Sequence, residues 1–103
     1  PPITNITISK NYMIMKNGSF YELFIPYTIT TASYLSGTIL QNASLYLNNS
    51  YIASNRSMIP LGKTYGSEMM FEMNDTQYLN INTMILKDTI SMFGTVFSYM
   101  VRL

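Results

Sequence analysis

Histidine, cysteine and tryptophan are all missing from this 103-residue chain, and each absence closes off chemistry. Without histidine there is no imidazole acid or base, no Ser-His nucleophile and no imidazole metal ligand. Without cysteine there are no disulfides, thiolate metal sites or thiol nucleophiles. Charge is scarce as well: charged residues make up 11% of the chain, against roughly 25% in an average soluble protein. Ser, Thr, Asn and Tyr must therefore wet most of the surface. The six basic residues, Lys10, Lys16, Arg56, Lys63, Lys87 and Arg102, are scattered along the sequence and the net charge is +1. Such spacing offers no footprint for a phosphate backbone, so nucleic acid is not an expected partner. No apolar run reaches the ~18 residues of a membrane-spanning helix, and no basic-then-apolar leader opens the sequence. The chain begins Pro1-Pro2 and reads as a processed or excised piece, with membrane contact expected only through a segment outside it.

The carboxylates add little chemistry. Glu68, Glu72 and Asp75 form the one close acidic cluster. On one strand face Glu68 and Glu72 stand about 13 Å apart by strand rise, beyond the roughly 5 to 9.5 Å of glycosidase carboxylate pairs. Glu72 and Asp75 across a turn fall short of the oxygen shell calcium requires. The isolated glycines cradle no phosphate. The expectation is a protein that is not an enzyme and that holds no metal and no cofactor.

What the sequence does have is alternation. Tyr21, Leu23, Ile25, Tyr27 and Ile29 share one parity, with Glu22, Pro26, Thr28 and Thr30 on the other, which predicts a long half-buried strand. Pro26, unable to donate to a ladder, points to a sheet edge or a bulge there. The pattern returns at Ile6 and Ile8, at Leu45 and Leu47, and at Met69, Phe71 and Met73. It returns again at Leu79, Ile81, Thr83 and Ile85, and at Phe97, Tyr99, Val101 and Leu103. Tyr12 to Met15 is a short apolar run without clear phase. Turn formers separate these runs at Asn17-Gly18, Ser36-Gly37, Asn48-Asn49-Ser50, Leu61-Gly62-Lys63, Asn74-Asp75 and Lys87-Asp88, and no helical period intervenes. Strands this short and this regularly punctuated read as two packed antiparallel sheets or a small barrel; of these the expected fold is all-β, an immunoglobulin-like antiparallel β-sandwich of about seven strands, with residues 1–103 forming one domain and residues 1–9 an exchangeable N-terminal strand.

Six Asn-x-Ser/Thr sequons occur, at Asn5, Asn17, Asn42, Asn48, Asn55 and Asn74. The chain's Asn, Ser and Thr content predicts about two by chance. Glycans at these sites would place the protein outside the cytoplasm and hydrate a surface poor in charge. Asn and Ser/Thr also cluster in turns for local hydrogen bonding, which produces the same tripeptides without any sugar.

Residues Ser44–Ser54 (SLYLNNSYIAS) read as a hairpin about an Asn-rich turn, and Ile59-Pro60-Leu61-Gly62-Lys63-Thr64-Tyr65 leads into the Met69 strand. On these residues the chain resembles, over roughly residues 20–103, the immunoglobulin-like modules of secreted archaeal proteins, without the Cys and Trp pins of antibody domains. Its Ile-, Asn-, Tyr-, Met- and Thr-rich vocabulary is similar to that of surface proteins of thermoacidophilic archaea such as the Sulfolobales. AT-biased codon usage in any organism gives some of the same bias. The resemblance implies an extracellular structural or adhesive module of a cell-surface appendage: a pilus, thread or other filament subunit, or a domain docking on the surface layer (S-layer). The alternative it implies is a pseudo-periplasmic stator subunit of the archaellum that binds the surface layer, and a third reading is a virion surface protein. The expected partners are other protein subunits, its own copies included, in a homo-oligomer. The expected interface residues are the tyrosines that cannot all be inside, Tyr12, Tyr34, Tyr46, Tyr51 and Tyr65. Ile3, Ile6 and Ile8 join them as a strand donated to a neighbour's sheet.

Overall fold

The computed structural model describes residues 1–103. It holds eight strands and one short helix: β1 (Ile3–Ile8), β2 (Met13–Asn17), β3 (Phe20–Thr31), β4 (Thr38–Leu47), β5 (Ser50–Pro60), β6 (Thr64–Asn74), α1 (Asp75–Leu79), β7 (Met84–Met92) and β8 (Thr95–Arg102). They form two antiparallel sheets. In the first, β3 is flanked on one side by β1 and β2 and on the other by β6; the second runs β5-β4-β7-β8. The chain crosses between sheets after β3, after β5 and after β6, which gives an immunoglobulin-like sandwich.

Period-two side-chain placement builds the core. Leu23, Ile25, Tyr27 and Ile29 of β3 and Met69, Phe71 and Met73 of β6 meet Ala43, Leu45 and Leu47 of β4, Ile59 of β5 and Met84, Leu86 and Ile90 of β7. The inward parities expected for β3, β4, β6 and β8 agree with the observed burial. Turn chemistry sets the hairpins. Asn48 and Asn49 have φ of 52° and 66°, both positive, as the two-residue turn between right-twisted strands requires. Gly62 (φ +80°) sits so close to the Leu35 carbonyl that a Cβ would collide with it. Its N–H donates to Oγ1 of the buried Thr31 at 2.7 Å.

Three expectations need correcting. Pro26 lies at neither an edge nor a bulge but within the central strand β3, opposite Glu68 of β6. It is tolerated because the other edge is broken there: β1 pairs with Tyr27–Thr31, β2 with Phe20–Phe24. Ser9 N–H donates to the Pro26 carbonyl at 2.9 Å, and the missing return bond ends the β1 ladder. Second, Leu79 to Ile85 is not one continuous strand of odd inward parity: residues 79–83 precede β7. Asn74 caps a helical turn reciprocally with Gln77, each side chain accepting from the other's backbone N–H, and α1 uses up residues 75–79. Strand β7 then starts at Met84 with the even residues inward, so Ile85 faces outward. Third, Lys87-Asp88 is mid-strand, and the β7–β8 turn falls at Phe93-Gly94, with φ of 52° and 77°.

Candidate interaction faces

The register of the first sheet arranges its outward side chains in rows. Phe20 stands opposite Asn74, Glu22 opposite Glu72, Phe24 opposite Met70 and Pro26 opposite Glu68. On the other side Met13 pairs with Phe24 and Met15 with Glu22. The outcome is an apolar band, crossed by the Glu22–Glu72 row, in which Met13, Met15 and Phe20 are 59%, 50% and 49% exposed and Phe24 and Met70 half-buried. Three glutamates are set into and around it. Glu22 and Glu72 are cross-strand neighbours, a carboxylate pair that their distance in sequence conceals. They lie on an open sheet face with no cleft above them, and no group of three or more carboxylates gathers to hold a metal.

The outward face of the second sheet has the opposite charge. Arg56 pairs with Asn42, Lys87 with Ser44 and Met100, and Ile85 with Tyr46 and Arg102. The three cations are exposed, and no Asp or Glu occupies this face. At one end the Tyr46 and Tyr51 rings meet edge to face, centroids 5.9 Å apart. Beside them a shallow groove of about 280 Å³ is lined by Tyr46, Asn49, Ile85, Lys87 and Met100.

Of the residues expected at an interface, the structure brings Tyr46 and Tyr51 together. Tyr12, at 38% exposed, precedes β2, and Tyr34, at 80%, lies between β3 and β4. Tyr65 turns inward, its ring centroid 6.4 Å from that of Tyr27. Ile3, Ile6 and Ile8 pack against the core from β1, which completes its own sheet. Sequence reasoning missed Met13, Met15, Phe20, Ile85, Lys87 and Met100. The usable signal was the shared parity of Phe20, Glu22 and Phe24 opposite the core residues of the same strand.

The sequon asparagines divide by what their amides do. Asn5 is exposed on β1, and exposed Asn17 donates to Glu22 Oε1 at 3.3 Å. Asn48 is a clasp: Nδ2 donates to the Asn80 carbonyl at 2.7 Å, and Oδ1 accepts from Asn82 N–H at 2.7 Å and Thr83 N–H at 3.0 Å. Asn74 caps α1, Asn55 Nδ2 donates to the Met70 carbonyl at 3.4 Å, and Asn42 Oδ1 is buried without a hydrogen-bond partner.

One charged residue is fully buried. Asp88 takes an inward position of β7 and meets the buried Gln41 side chain. With the Gln41 amide nitrogen turned toward it, Nε2 donates to Asp88 Oδ2 at 2.7 Å, while Oε1 accepts from Tyr27 Oη at 3.2 Å and Ser57 Oγ at 3.1 Å. With the amide turned over, Nε2 donates to Ser57 Oγ at 3.1 Å and Oε1 faces the carboxyl, an arrangement that needs a proton on Asp88. Desolvation raises the Asp88 pKa from 3.8 to about 7. Burial, and then the Asp88 charge, raise that of Tyr99, its cross-strand neighbour. The carboxyl is fully enclosed in the core, whereas the groove lies on the other side of its sheet.

Neither a protein-family model nor a curated protein matches this sequence.

Proposed function

We propose that this chain is a non-enzymatic structural or adhesive module of the cell exterior, a subunit or docking domain of a surface appendage, that works through the outer faces of its two sheets. The observation that carries the reading is the Met13, Met15, Phe20, Phe24 and Met70 band. Large apolar side chains scattered singly are ordinary on a protein surface, whereas several gathered on neighbouring strands of one face, with charge among them, mark a contact site. Support for the exterior location comes from the sequon excess and from the low charge, which sugar would offset in hydrating the surface.

Fractionation of the native source tests the reading. The protein should travel with the cell envelope or shed appendages, and mass spectrometry should find sugar on Asn5, the exposed sequon asparagine whose side chain forms no clasp, helix cap or bond to Glu22. Recovery in the cytosol with every asparagine unmodified would remove the proposal. Serine at Met13 and Met15 should release the protein from its envelope partner while circular dichroism stays β.

A further inference from the structure

We propose that the partner of the acidic face is the basic face of a second copy of this chain, so that the sandwiches stack face to face in head-to-tail order. The inference rests on the reading above and names its partner.

Charge is separated between the two outer faces. Register puts Glu22, Glu68 and Glu72 on the outside of the first sheet and Arg56, Lys87 and Arg102 on the outside of the second. Lys10 lies in the β1–β2 connection and Lys16 takes the inward parity at the end of β2, so neither belongs to the acidic face. In a chain with only five carboxylates and six cations, the two faces hold most of the charge, sorted by sign. Opposed potentials steer encounter and fix orientation, while like faces repel. A twofold pairing of identical faces is thereby disfavoured, and the heterologous contact that remains, made by faces on opposite sides of the sandwich, leaves each added copy a free face for the next.

The acidic row also carries a cost for the isolated chain. Glu22 and Glu72 stand directly opposite each other, and like charges at such positions destabilise a sheet. The bond Glu22 receives inside the chain comes from the neutral Asn17 amide. An arriving cation removes that repulsion, so association relieves a cost that folding leaves in place.

Size is compatible. A face about three strands wide and about ten residues long covers on the order of 500 Å². Two apposed faces then bury on the order of 1,000 Å², the lower bound for a specific contact. The apolar band of one copy would meet the Tyr46, Tyr51 and Met100 corner of the next.

Sedimentation velocity at low salt, on the full chain, decides the matter. The unaltered protein should show an average mass above 11.8 kDa that keeps rising with concentration and falls back as salt is added. Reversing the acidic face (E22K with E72K) or the basic face (R56E with K87E) should weaken association at least about tenfold. Mixing the two reversed proteins should restore it, because each then offers the face the other lacks. Circular dichroism confirms that each variant is folded. An unaltered protein that stays monomeric to about 1 mM, a closed dimer that grows no further, or reversed variants that associate like the parent would overturn the stacking. A monomer that still fractionates with the envelope defeats the stacking alone; a stacking protein confined to the cytosol without sugar defeats the surface reading alone.

Discussion

Raising the pH from 5 to 9 should destabilise this protein, and Asp88 should be the reason. In the fold its carboxyl keeps a proton up to about pH 7, whereas its ordinary value is 3.8. Between those limits the folded state binds one proton more than the unfolded chain, so stability declines as pH rises and the decline is complete once pH passes the folded value. The interval is about 3 pH units, which sets an upper limit of about 4 kcal/mol. The Gln41 amide lowers that figure, because turning Nε2 toward the carboxylate gives the anion a 2.7 Å donor. About two of those units lie above pH 5, so between pH 5 and 9 a loss of roughly 1 to 3 kcal/mol remains, a sizeable share of the 5–15 kcal/mol typical of a small domain. The chain contains no histidine to titrate in this window, which makes the profile easy to read. Urea unfolding followed by circular dichroism at pH 5, 6, 7, 8 and 9 should give midpoints that fall with an unchanged m value. Asp88→Asn, close in shape and neutral throughout, should flatten the profile and exceed the parent in stability at pH 9. A parent protein whose stability holds constant or climbs between pH 5 and 8, or an Asn variant that keeps the slope, would refute the reasoning.

Other substitutions test the backbone. Gly62→Ala should cost at least about 2 kcal/mol by denaturant unfolding, since the new Cβ meets the Leu35 carbonyl at a positive φ. Phe93→Asn should add about 1 kcal/mol, because Phe93 is a 74%-exposed aromatic at φ 52°, where asparagine is far more at ease; a lower melting temperature would contradict this. Asn48→Ala should lose about 2–3 kcal/mol by leaving the Asn80 carbonyl and two backbone N–H groups without their partner. Hydrogen exchange should locate the opening at Asn82 and Thr83.

The two-layer architecture was legible because the inward parity is regular where it matters most: from Leu23 to Ile29 every odd position is apolar and buried. Strand β7 was misphased because Met84, Ile85 and Leu86 are all apolar, so parity says nothing there, and the polar Asp88 sits where an aliphatic residue is expected. The deciding signal was local, the Asn74–Gln77 capping pair, which a search for long helical periods passes over. For the candidate faces, Tyr46 and Tyr51 were legible as neighbours because a two-residue turn joins their strands. The Glu22–Glu72 row was not, since it depends on which strand lies beside which and in what register, information held by long-range packing.

The gap between β1 and β2 limits what an invading strand could do. A replacement for β1 would find five ladder positions on β3, Tyr27 to Thr31, and then a proline with no hydrogen to offer. This side of the sheet therefore accepts only a short guest, too short to serve as a template for uncontrolled edge-to-edge growth.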